Sequence, residues 1–364
     1  MSKFKTISAD SHIVEPGDLW LKYIDAAFRE RAPRLVRLAD RDVLDFPGLH
    51  ATSFGLNAGA GRKPEEVRRA GRFDTDVPRA AWDPRARLEA ISIDGVEAEV
   101  LYPTACLRIY AYQDSAFLYA CLDAYNRWLA DFCTFDPVRY KGIGMISLDD
   151  TGQAIKQLKT VGELGLAGAM VPLRPDTEHP YSGDYYDSFW AAAQELQLPI
   201  TLHIATQRSD AEALATSFPD WVTKTVYIQR SLAELIFSGV FERFPHLKVV
   251  SAENDIGWIG NFLERMDHRF TNSKRLYTYG IPDHRLPSEY FHRNVYATFM
   301  QDISGILLRE VIGIDNIMWA SDYPHHESTW PHSQEILAAH FRNVPEEHRR
   351  KIVAENAAKL YHFN

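Results

Sequence analysis

Short apolar runs alternate with longer amphipathic segments along most of this chain. Each run is rich in β-branched residues, and the segment after it carries apolar residues at helical spacing. The runs are continuously apolar rather than alternating, which is typical of a parallel sheet buried on both faces. The pattern predicts eight strands, at 4–9, 96–101, 140–146, 167–173, 200–203, 247–252, 295–299 and 317–320. We therefore expect an α/β fold, a (β/α)8 TIM barrel.

The segments between these strands predict the barrel's helices. Asp83 and Pro84 are suited to the cap and first turn of one helix. The others are expected at 18–29, 115–135, 151–162, 185–196, 229–241, 256–270, 305–312, 333–342 and 346–361. Since no shift in composition marks a boundary, residues 1–364 are predicted to form a single domain.

Residues 13–82 do not fit the alternation. Their stretch at 48–80 is rich in Gly, Arg and Ala and has few large apolar residues. A connection of this length inside a compact domain is usually a lid, a binding loop or a partner-contacting arm. We interpret it as an insertion after the first strand that lies over the barrel mouth.

The charge and residue composition of the chain limit the kinds of molecule that it is expected to bind. The net charge of −9 argues against nucleic acid or an anionic membrane, because both favour a basic surface. No apolar stretch reaches the roughly 18 residues of a membrane helix, and the amino terminus has no signal-peptide core. The three cysteines have no metal or disulfide spacing, which favours a reducing compartment. A cytoplasmic enzyme with a small-molecule substrate is expected.

Metal-capable side chains follow the ends of several predicted strands. Asp10 and His12 are two apart at the end of the first strand, so both can reach one ion. His203, Glu253 and Asp322 come at or just after the fifth, sixth and eighth strands. Strand ends of a barrel meet at its catalytic face, and these five residues are predicted to share a metal site.

The roles of other residues near the strand ends remain open between alternatives. His326 is a candidate for a further ligand or a second metal, with His325 as the weaker candidate. Tyr102, at the end of the second strand, is either a hydrogen-bond donor to a developing oxyanion or a packing residue. Glu15 is expected to begin the insertion, and Glu253 is a ligand, a bridging ligand, a general base or an ion-pair partner.

These motifs together resemble a known family. Asp-Ser-His-Ile-Val-Glu-Pro at 10–16, Phe-Pro-His-Leu-Lys-Val-Val at 244–250 and Trp-Ala-Ser-Asp-Tyr-Pro-His at 319–325 are similar to the amidohydrolase-related group. Glu253 ahead of Gly-Trp at 257–258 and Glu-Arg-Met-Asp at 264–267 belong to the same pattern. Within that group, the motifs are similar to the amidohydrolase 2 branch, which includes aminocarboxymuconate semialdehyde decarboxylase. The resemblance covers nearly the whole chain.

The resemblance implies a divalent metal held by Asp10, His12, His203 and Asp322. Two departures set this chain apart from the named decarboxylase, since the first ligand is Asp rather than His and the sixth-strand position is Glu253 rather than His. Carboxylates and imidazoles together suit Mn, Fe or Zn, as one or two ions, and the oxygen-rich set favours the first two.

A metal-activated water that attacks an amide, ester or thioester carbonyl is the reaction we expect first. Asp322 or Glu253 would accept its proton, as general base. Non-oxidative decarboxylation of a small carboxylic acid is the alternative, and a dinuclear-metal oxygenase is a third reading. A catalytically silent subunit that docks through 13–82 is a fourth. The family is commonly oligomeric, so a homo-oligomer is expected, and pairing with a paralogue is a further form.

Overall fold

Eight parallel strands surround the core of this protein in a computed structural model, which describes residues 3–175, 178–208 and 217–363. The eleven strands of these residues are β1 Ile7–Ile13, β2 Arg34–Arg37, β3 Asp42–Asp45, β4 Thr52–Ser53, β5 Ala98–Pro103, β6 Tyr140–Met145, β7 Gly168–Val171, β8 Ile200–His203, β9 Val249–Ala252, β10 Val295–Phe299 and β11 Ile317–Trp319. The large sheet has the order β1-β5-β6-β7-β8-β9-β10-β11, so every strand pairs with the next barrel strand along the chain.

Hydrogen bonds across the remaining seam close this sheet into a barrel. The His12 amide donates to the Tyr323 carbonyl at 2.7 Å, and the Asp322 amide donates to the Asp10 carbonyl at 3.0 Å. All eight predicted strands are present, which confirms the (β/α)8 prediction.

Helices lie between the strands, as each strand of a parallel barrel requires a crossover. The α-helices of the described residues are Leu19–Tyr23, Phe73–Asp76, Pro84–Ile93, Ser115–Cys133, Thr151–Glu163, Asp187–Glu195, Phe218–Thr223, Thr225–Phe237, Val240–Arg243, Ile259–Ser273, Pro287–Asn294, Ile303–Leu307, Arg309–Ile312, Ser333–His340, Glu346–Arg350 and Asn356–Leu360. Short 3-10 helices are Ala26–Arg31, Pro64–Glu66, Arg79–Ala81, Ala105–Ala111 and Lys274–Leu276, and Lys351–Glu355 is a π-helical turn. None of the helices described here is long and apolar enough to span a bilayer.

Several element boundaries differ from the sequence prediction, and the helices predicted at 305–312 and 346–361 are each divided. β1 runs on through Asp10 and His12, whereas the apolar run had predicted its end at residue 9. The helix predicted at 229–241 is divided by Gly239, whose φ of 78° lies in the left-handed region that favours glycine. The 18–29 segment forms one short α-helix followed by a 3-10 helix.

The insertion has secondary structure of its own. β2, β3 and β4 form a small antiparallel sheet, and the Asp42 carboxylate fixes the start of its central strand, β3. Asp42 accepts two hydrogen bonds from Arg37, at 3.0 and 3.1 Å, one from Arg72 at 3.0 Å and one from the Phe73 amide at 3.0 Å. The insertion is therefore held both by the hydrogen bonds of this carboxylate and by apolar side chains, among them Leu44, Phe46 and Phe54, that are buried in the main core.

Backbone hydrogen bonds attach the insertion to the barrel mouth. The His326 amide donates to the Leu56 carbonyl at 3.0 Å, and the Ala60 amide donates to the Pro324 carbonyl at 3.0 Å. Both barrel partners belong to the loop after β11, which carries Asp322. The insertion thus contacts the same loop that carries Asp322, one of the predicted metal ligands.

Candidate metal centre

Five predicted ligands converge at the carboxyl end of the barrel strands. His12 Nε2 lies 3.3 Å from a Glu253 oxygen, 3.3 Å from Asp322 Oδ1 and 3.6 Å from Asp10 Oδ1. His203 Nε2 lies 3.3 Å from the same Glu253 oxygen and 3.8 Å from Asp10 Oδ1. Neighbouring donors around one ion are about 3 Å apart when each bond is about 2.1 Å, so these spacings suit a shared ion.

Backbone carbonyls fix both imidazoles in the orientation that an ion needs. His12 Nδ1 donates to the Pro103 carbonyl at 2.7 Å, and His203 Nδ1 donates to the Ile204 carbonyl at 2.8 Å. A carbonyl can only accept, so the proton is on Nδ1 and the Nε2 lone pair points to the centre. This is the usual arrangement of a metal-binding histidine.

Four buried ligand atoms have no hydrogen-bond partner among the described residues. They are Asp10 Oδ1, His12 Nε2, His203 Nε2 and Asp322 Oδ1. The other oxygen of Asp10 is satisfied, because it accepts a hydrogen bond from Thr298 at 2.9 Å. Leaving several such atoms buried and unpaired costs a few kcal/mol each, whereas a cation at their centre would satisfy all four. These residues fit a divalent metal.

The backbone of the two strand-end carboxylates is strained. Glu253 has a φ of 53° and Asp322 a φ of 58°, in a region that residues other than glycine rarely adopt. The Glu253 amide donates to Thr298 Oγ1 at 2.9 Å, and the Asp322 amide is held by Asp10 across the seam. Strain of this kind persists where the surrounding structure enforces it, as it does at functional sites.

The crowded negative charge shifts the protonation of the cluster. Burial alone lowers the pKa of His203, but the nearby carboxylate of Asp10 and the charge of Glu253 outweigh burial and raise that pKa to about 9. Burial raises the pKa of Glu253, yet the His12 imidazole 3.3 Å away and the charges of His12 and His203 bring it down to about 2. Protons therefore compete with a metal ion for these atoms, and metal affinity falls as pH falls.

His325, rather than His326, lies in the cluster. Together with His12, Glu253 and Asp322 it places one ligand atom each within 4.8 Å of the others, and its Nδ1 is 3.0 Å from Asp322 Oδ1. The His325 amide donates to the Asp322 carbonyl at 3.0 Å, and this turn brings the side chain back over the ring of His12. His326 lines the cavity, but its Nε2 is paired with the Glu327 carboxylate at 3.9 Å and is in neither group of candidate metal ligands among the described residues.

Tyr102 and Glu15 have structural surroundings. The Tyr102 hydroxyl lies inside the barrel, 3.3 Å from Thr201 Oγ1 and 3.2 Å from the Tyr361 hydroxyl, and its residue is fully buried. The geometry thus favours the packing reading over an oxyanion donor. The Glu15 carboxylate accepts the amides of 104, 105 and 106 at 2.9–3.1 Å, so it holds the start of the 3-10 helix Ala105–Ala111.

A cavity of about 750 Å³ opens above the cluster. Its lower end is formed by Asp10, Glu253 and Asp322, and its walls come from both the barrel and the insertion. The insertion contributes Leu56, Val67, Arg68 and Arg69, and the segment after β8 contributes Phe218, Trp221, Val222, Lys224 and Thr225. The volume is in the range of a small-molecule site.

Comparison with known sequences identifies a family. The amidohydrolase family model matches residues 47–363. A gamma-resorcylate decarboxylase from Rhodococcus jostii is 28% identical over 254 residues, 65% of this chain and 74% of the relative. The decarboxylase orsB from Emericella nidulans is 28% identical over 203 residues, 52% of this chain, and the match spans 60% of that relative's length. A 2-amino-3-carboxymuconate-6-semialdehyde decarboxylase from Dictyostelium discoideum is 23% identical over 261 residues, 70% of each chain.

Solved structures share the fold. An amidohydrolase from Mycobacterium avium subsp. paratuberculosis superposes with a TM-score of 0.78 at 22% identity and covers 99% of this chain and 100% of its own. The 5-carboxyvanillate decarboxylase LigW from Sphingomonas paucimobilis gives 0.73 at 19% identity, with both chains fully covered at 100%. A dihydroxybenzoic acid decarboxylase from Polaromonas, with manganese and the inhibitor 2-nitroresorcinol bound, gives 0.66 at 21% identity and covers 99% and 98%.

The comparisons correct the reaction that the sequence analysis placed first. Hydrolysis of an amide, ester or thioester is wrong, because the relatives that match over much of the chain are decarboxylases. They agree instead with the alternative reading, decarboxylation. The ligand set could not separate the two reactions, because both require an ion beside a polarised carbonyl or carboxylate.

Proposed function

The chain belongs to the amidohydrolase family, and from that premise we propose that it is a metal-dependent, non-oxidative decarboxylase of a small carboxylic acid. The observation that carries the proposal is a cavity that ends at unpartnered, buried ligand atoms, in a chain whose relatives release carbon dioxide. Asp10, His12, His203, Glu253 and Asp322 hold the ion in this proposal, with His325 beside them.

One ion fits better than two. The two ligand groups share His12, and the donor–donor distances among the five residues are 3.3–3.8 Å. A dinuclear site needs separate donors for ions about 3.5–4 Å apart. Three carboxylates among five ligands favour Mn²⁺ over a more thiophilic or imidazole-selective ion. We propose a single Mn²⁺, which also argues against the dinuclear oxygenase reading.

A divalent ion, when bound, supplies positive charge that orients and polarises the reacting carboxylate. The chain's own residues must supply a proton, since decarboxylation replaces a carboxylate with hydrogen. His325 Nδ1 lies 3.0 Å from Asp322 Oδ1, and burial raises the pKa of Asp322. This pair is placed to hold that proton. As the carbon–carbon bond breaks, its electron pair stays on the substrate carbon, Asp322 protonates that carbon, and carbon dioxide leaves.

The test uses manganese-loaded protein with 2,6-dihydroxybenzoate and 5-carboxyvanillate in deuterated water. Carbon dioxide release, with one deuterium at the former carboxylate carbon, is the expected result. Asp322→Asn should lower the rate by about 100-fold or more, as expected for a lost general acid. Asp315→Asn, an exposed carboxylate 72% accessible, is the matched control and should keep full activity. Release of an alcohol or amine from ester or amide substrates, without carbon dioxide from any acid, would contradict the proposal.

Metal analysis supplies an independent check. We expect one ion per chain in the wild type, and a metal affinity at least about tenfold lower in His203→Ala. Glu253→Gln should weaken the same single ion. Two ions in the wild type, reduced to one in Glu253→Gln, would show a bridging role instead and would restore the dinuclear reading.

A further inference from the structure

Lys224 is a buried cation on which the carboxylates of Glu253 and Asp220 act through their charge, without an ion pair within 4 Å among the described residues. It lines the cavity next to helix Thr225–Phe237, and only 5% of the residue is exposed. Among the described residues its ammonium group forms neither a hydrogen bond nor an ion pair, and Nζ lies 3.9 Å from the centre of the Trp221 ring. An aromatic face stabilises an ammonium group without neutralising it, so this charge remains available to a ligand.

The acidic side chains at the bottom of the cavity explain why a buried cation would help to bind an anionic substrate. With Asp322 protonated, as the proposed reaction requires, a divalent ion balances Asp10 and Glu253, so the metal centre has no surplus positive charge for a second anionic group. The other acids that line the cavity, Asp255 and Glu327, make its electrostatic field unfavourable for an anionic substrate. An acid that binds in this cavity therefore needs compensating positive charge from the walls.

The insertion contributes two arginines to the cavity wall, and only one of them already forms an ion pair among the described residues. Arg68 is committed, because its guanidinium lies 2.6 Å from Asp76. Arg69 also lines the cavity, and its side chain makes no hydrogen bond or ion pair within the part of the chain that the structure describes. Lys224, which is buried, and Arg69, which is exposed, are the uncommitted cations of this cavity.

The remaining walls are apolar and partly aromatic. Trp221, Phe299 and Met300 face the same space as Lys224, and Phe218 lies at its exposed rim. Flat apolar surfaces of this kind bind a conjugated body, while a few polar groups fix its orientation. The cavity thus combines a centre for one carboxylate, an apolar middle and a separate positive charge.

We propose that Lys224 binds a second acidic group of the substrate, so that this protein acts on aromatic or similarly conjugated acids with two anionic groups. One carboxylate lies at the metal centre, and the second group is held by Lys224, with Arg69 as an auxiliary cation. The inference rests on the proposed function, because it names the substrate class for that same site.

Calorimetric titration of manganese-loaded protein tests the inference without turnover. Isophthalate and terephthalate are the dianionic probes, and benzoate is the monoanionic probe. The wild type should bind at least one dianion about tenfold more tightly than benzoate, the value of a hydrogen bond to a charged group. Lys224→Met should bring that ratio close to one and leave benzoate affinity nearly unchanged. Lys224→Arg should retain the preference.

Lys156→Met is the charge-matched control, since it removes an exposed lysine from helix Thr151–Glu163 that does not line the cavity. Its dianion preference should equal that of the wild type. Lys224→Gln serves as a second neutral variant, and each variant must match the wild type in metal content and thermal midpoint. A wild type without dianion preference, or an undiminished preference in folded Lys224→Met and Lys224→Gln, overturns the inference.

The inference and the proposed function can fail separately. Carbon dioxide release from monoanionic acids that is unaffected by Lys224→Met would keep the decarboxylase and remove the second-anion site. Dianion binding that depends on Lys224, with no carbon dioxide from any acid, would keep the binding site and remove the decarboxylase.

Discussion

Arg87 is the residue whose removal should most disturb the seam of the barrel. Its guanidinium donates to Glu99 at 2.8 and 2.9 Å, to the His12 carbonyl at 2.8 Å and to the Tyr323 carbonyl at 3.1 Å. Both members of the ion pair are fully buried. Since His12 is a candidate ligand and Tyr323 follows Asp322, one side chain fixes the backbone on both sides of the centre.

The cost of Arg87→Met can be worked out from these contacts. The substitution keeps the length of the side chain but leaves the Glu99 carboxylate buried without a partner, which costs about 3–5 kcal/mol of unfolding free energy. Glu99→Gln is milder, about 1–3 kcal/mol, because the guanidinium keeps two carbonyl acceptors. The double variant should cost less than the sum of the two, because it leaves no uncompensated charge.

Denaturant unfolding with saturating metal, followed by tryptophan fluorescence, measures these differences, and metal titration measures the effect on the centre. We expect Arg87→Met to lower metal affinity by about tenfold as well, since an outer partner of the ligands is lost. Arg79→Met is the control, because Arg79 forms an ion pair with Asp83 at 2.8 Å while 70% exposed and should cost under about 1 kcal/mol. An Arg87→Met variant within about 0.5 kcal/mol of the wild type would refute the reasoning.

Two further predictions concern the insertion. A Cβ at Gly59 would lie 2.7 Å from His326 Cβ, so Gly59→Ala should displace the loop after β11 and lower turnover by about tenfold. Gly183→Ala is the control, because the nearest atoms to a Cβ at that position are 3.9 Å away. The hydrogen bond from Arg37 lowers the pKa of Asp42 to about 2, although burial opposes this shift. The ionised Asp42 therefore stabilises the folded protein fully above the ordinary pKa of an aspartate, and this stabilisation is lost as pH falls through 2. The stability difference between wild type and Asp42→Asn should therefore be constant above about pH 5 and shrink towards pH 2 in acid unfolding curves, and a difference that grows with acid would contradict this.

The barrel strands were predictable because parallel strands buried on both faces are continuous apolar runs. The same criterion made the predicted first strand too short. Asp10 and His12 are polar, so the pattern ended at residue 9, yet both lie inside β1 and are almost fully buried. Buried polar residues in a strand are stable only when distant parts of the chain complete them, here through Thr298, Pro103 and the proposed ion.

Other features depended on contacts that sequence does not contain. His325 and His326 are identical neighbours, and only the turn that begins at Asp322 decides which imidazole reaches the cluster. β4 has two residues, Thr52–Ser53, too few for any periodic pattern. The Tyr102 hydroxyl meets that of Tyr361, 259 positions along the chain, so its packing role could not be separated from a catalytic one.

The choice between hydrolysis and decarboxylation has the same origin. A buried carboxylate beside an imidazole, as Asp322 is beside His325, can take a proton from water or give one to carbon, so the ligands alone fit either reaction. The comparisons separate the two reactions, because the relatives that match over much of the chain are decarboxylases, whereas the proposed role of Lys224 concerns the charge of the substrate and not the reaction. That lysine, the arginines of the insertion and the apolar wall at Phe299 and Met300 come from three separate parts of the chain. Only the closed barrel brings them to one cavity, so the proposed substrate class depends on tertiary contacts that no pattern along the sequence contains.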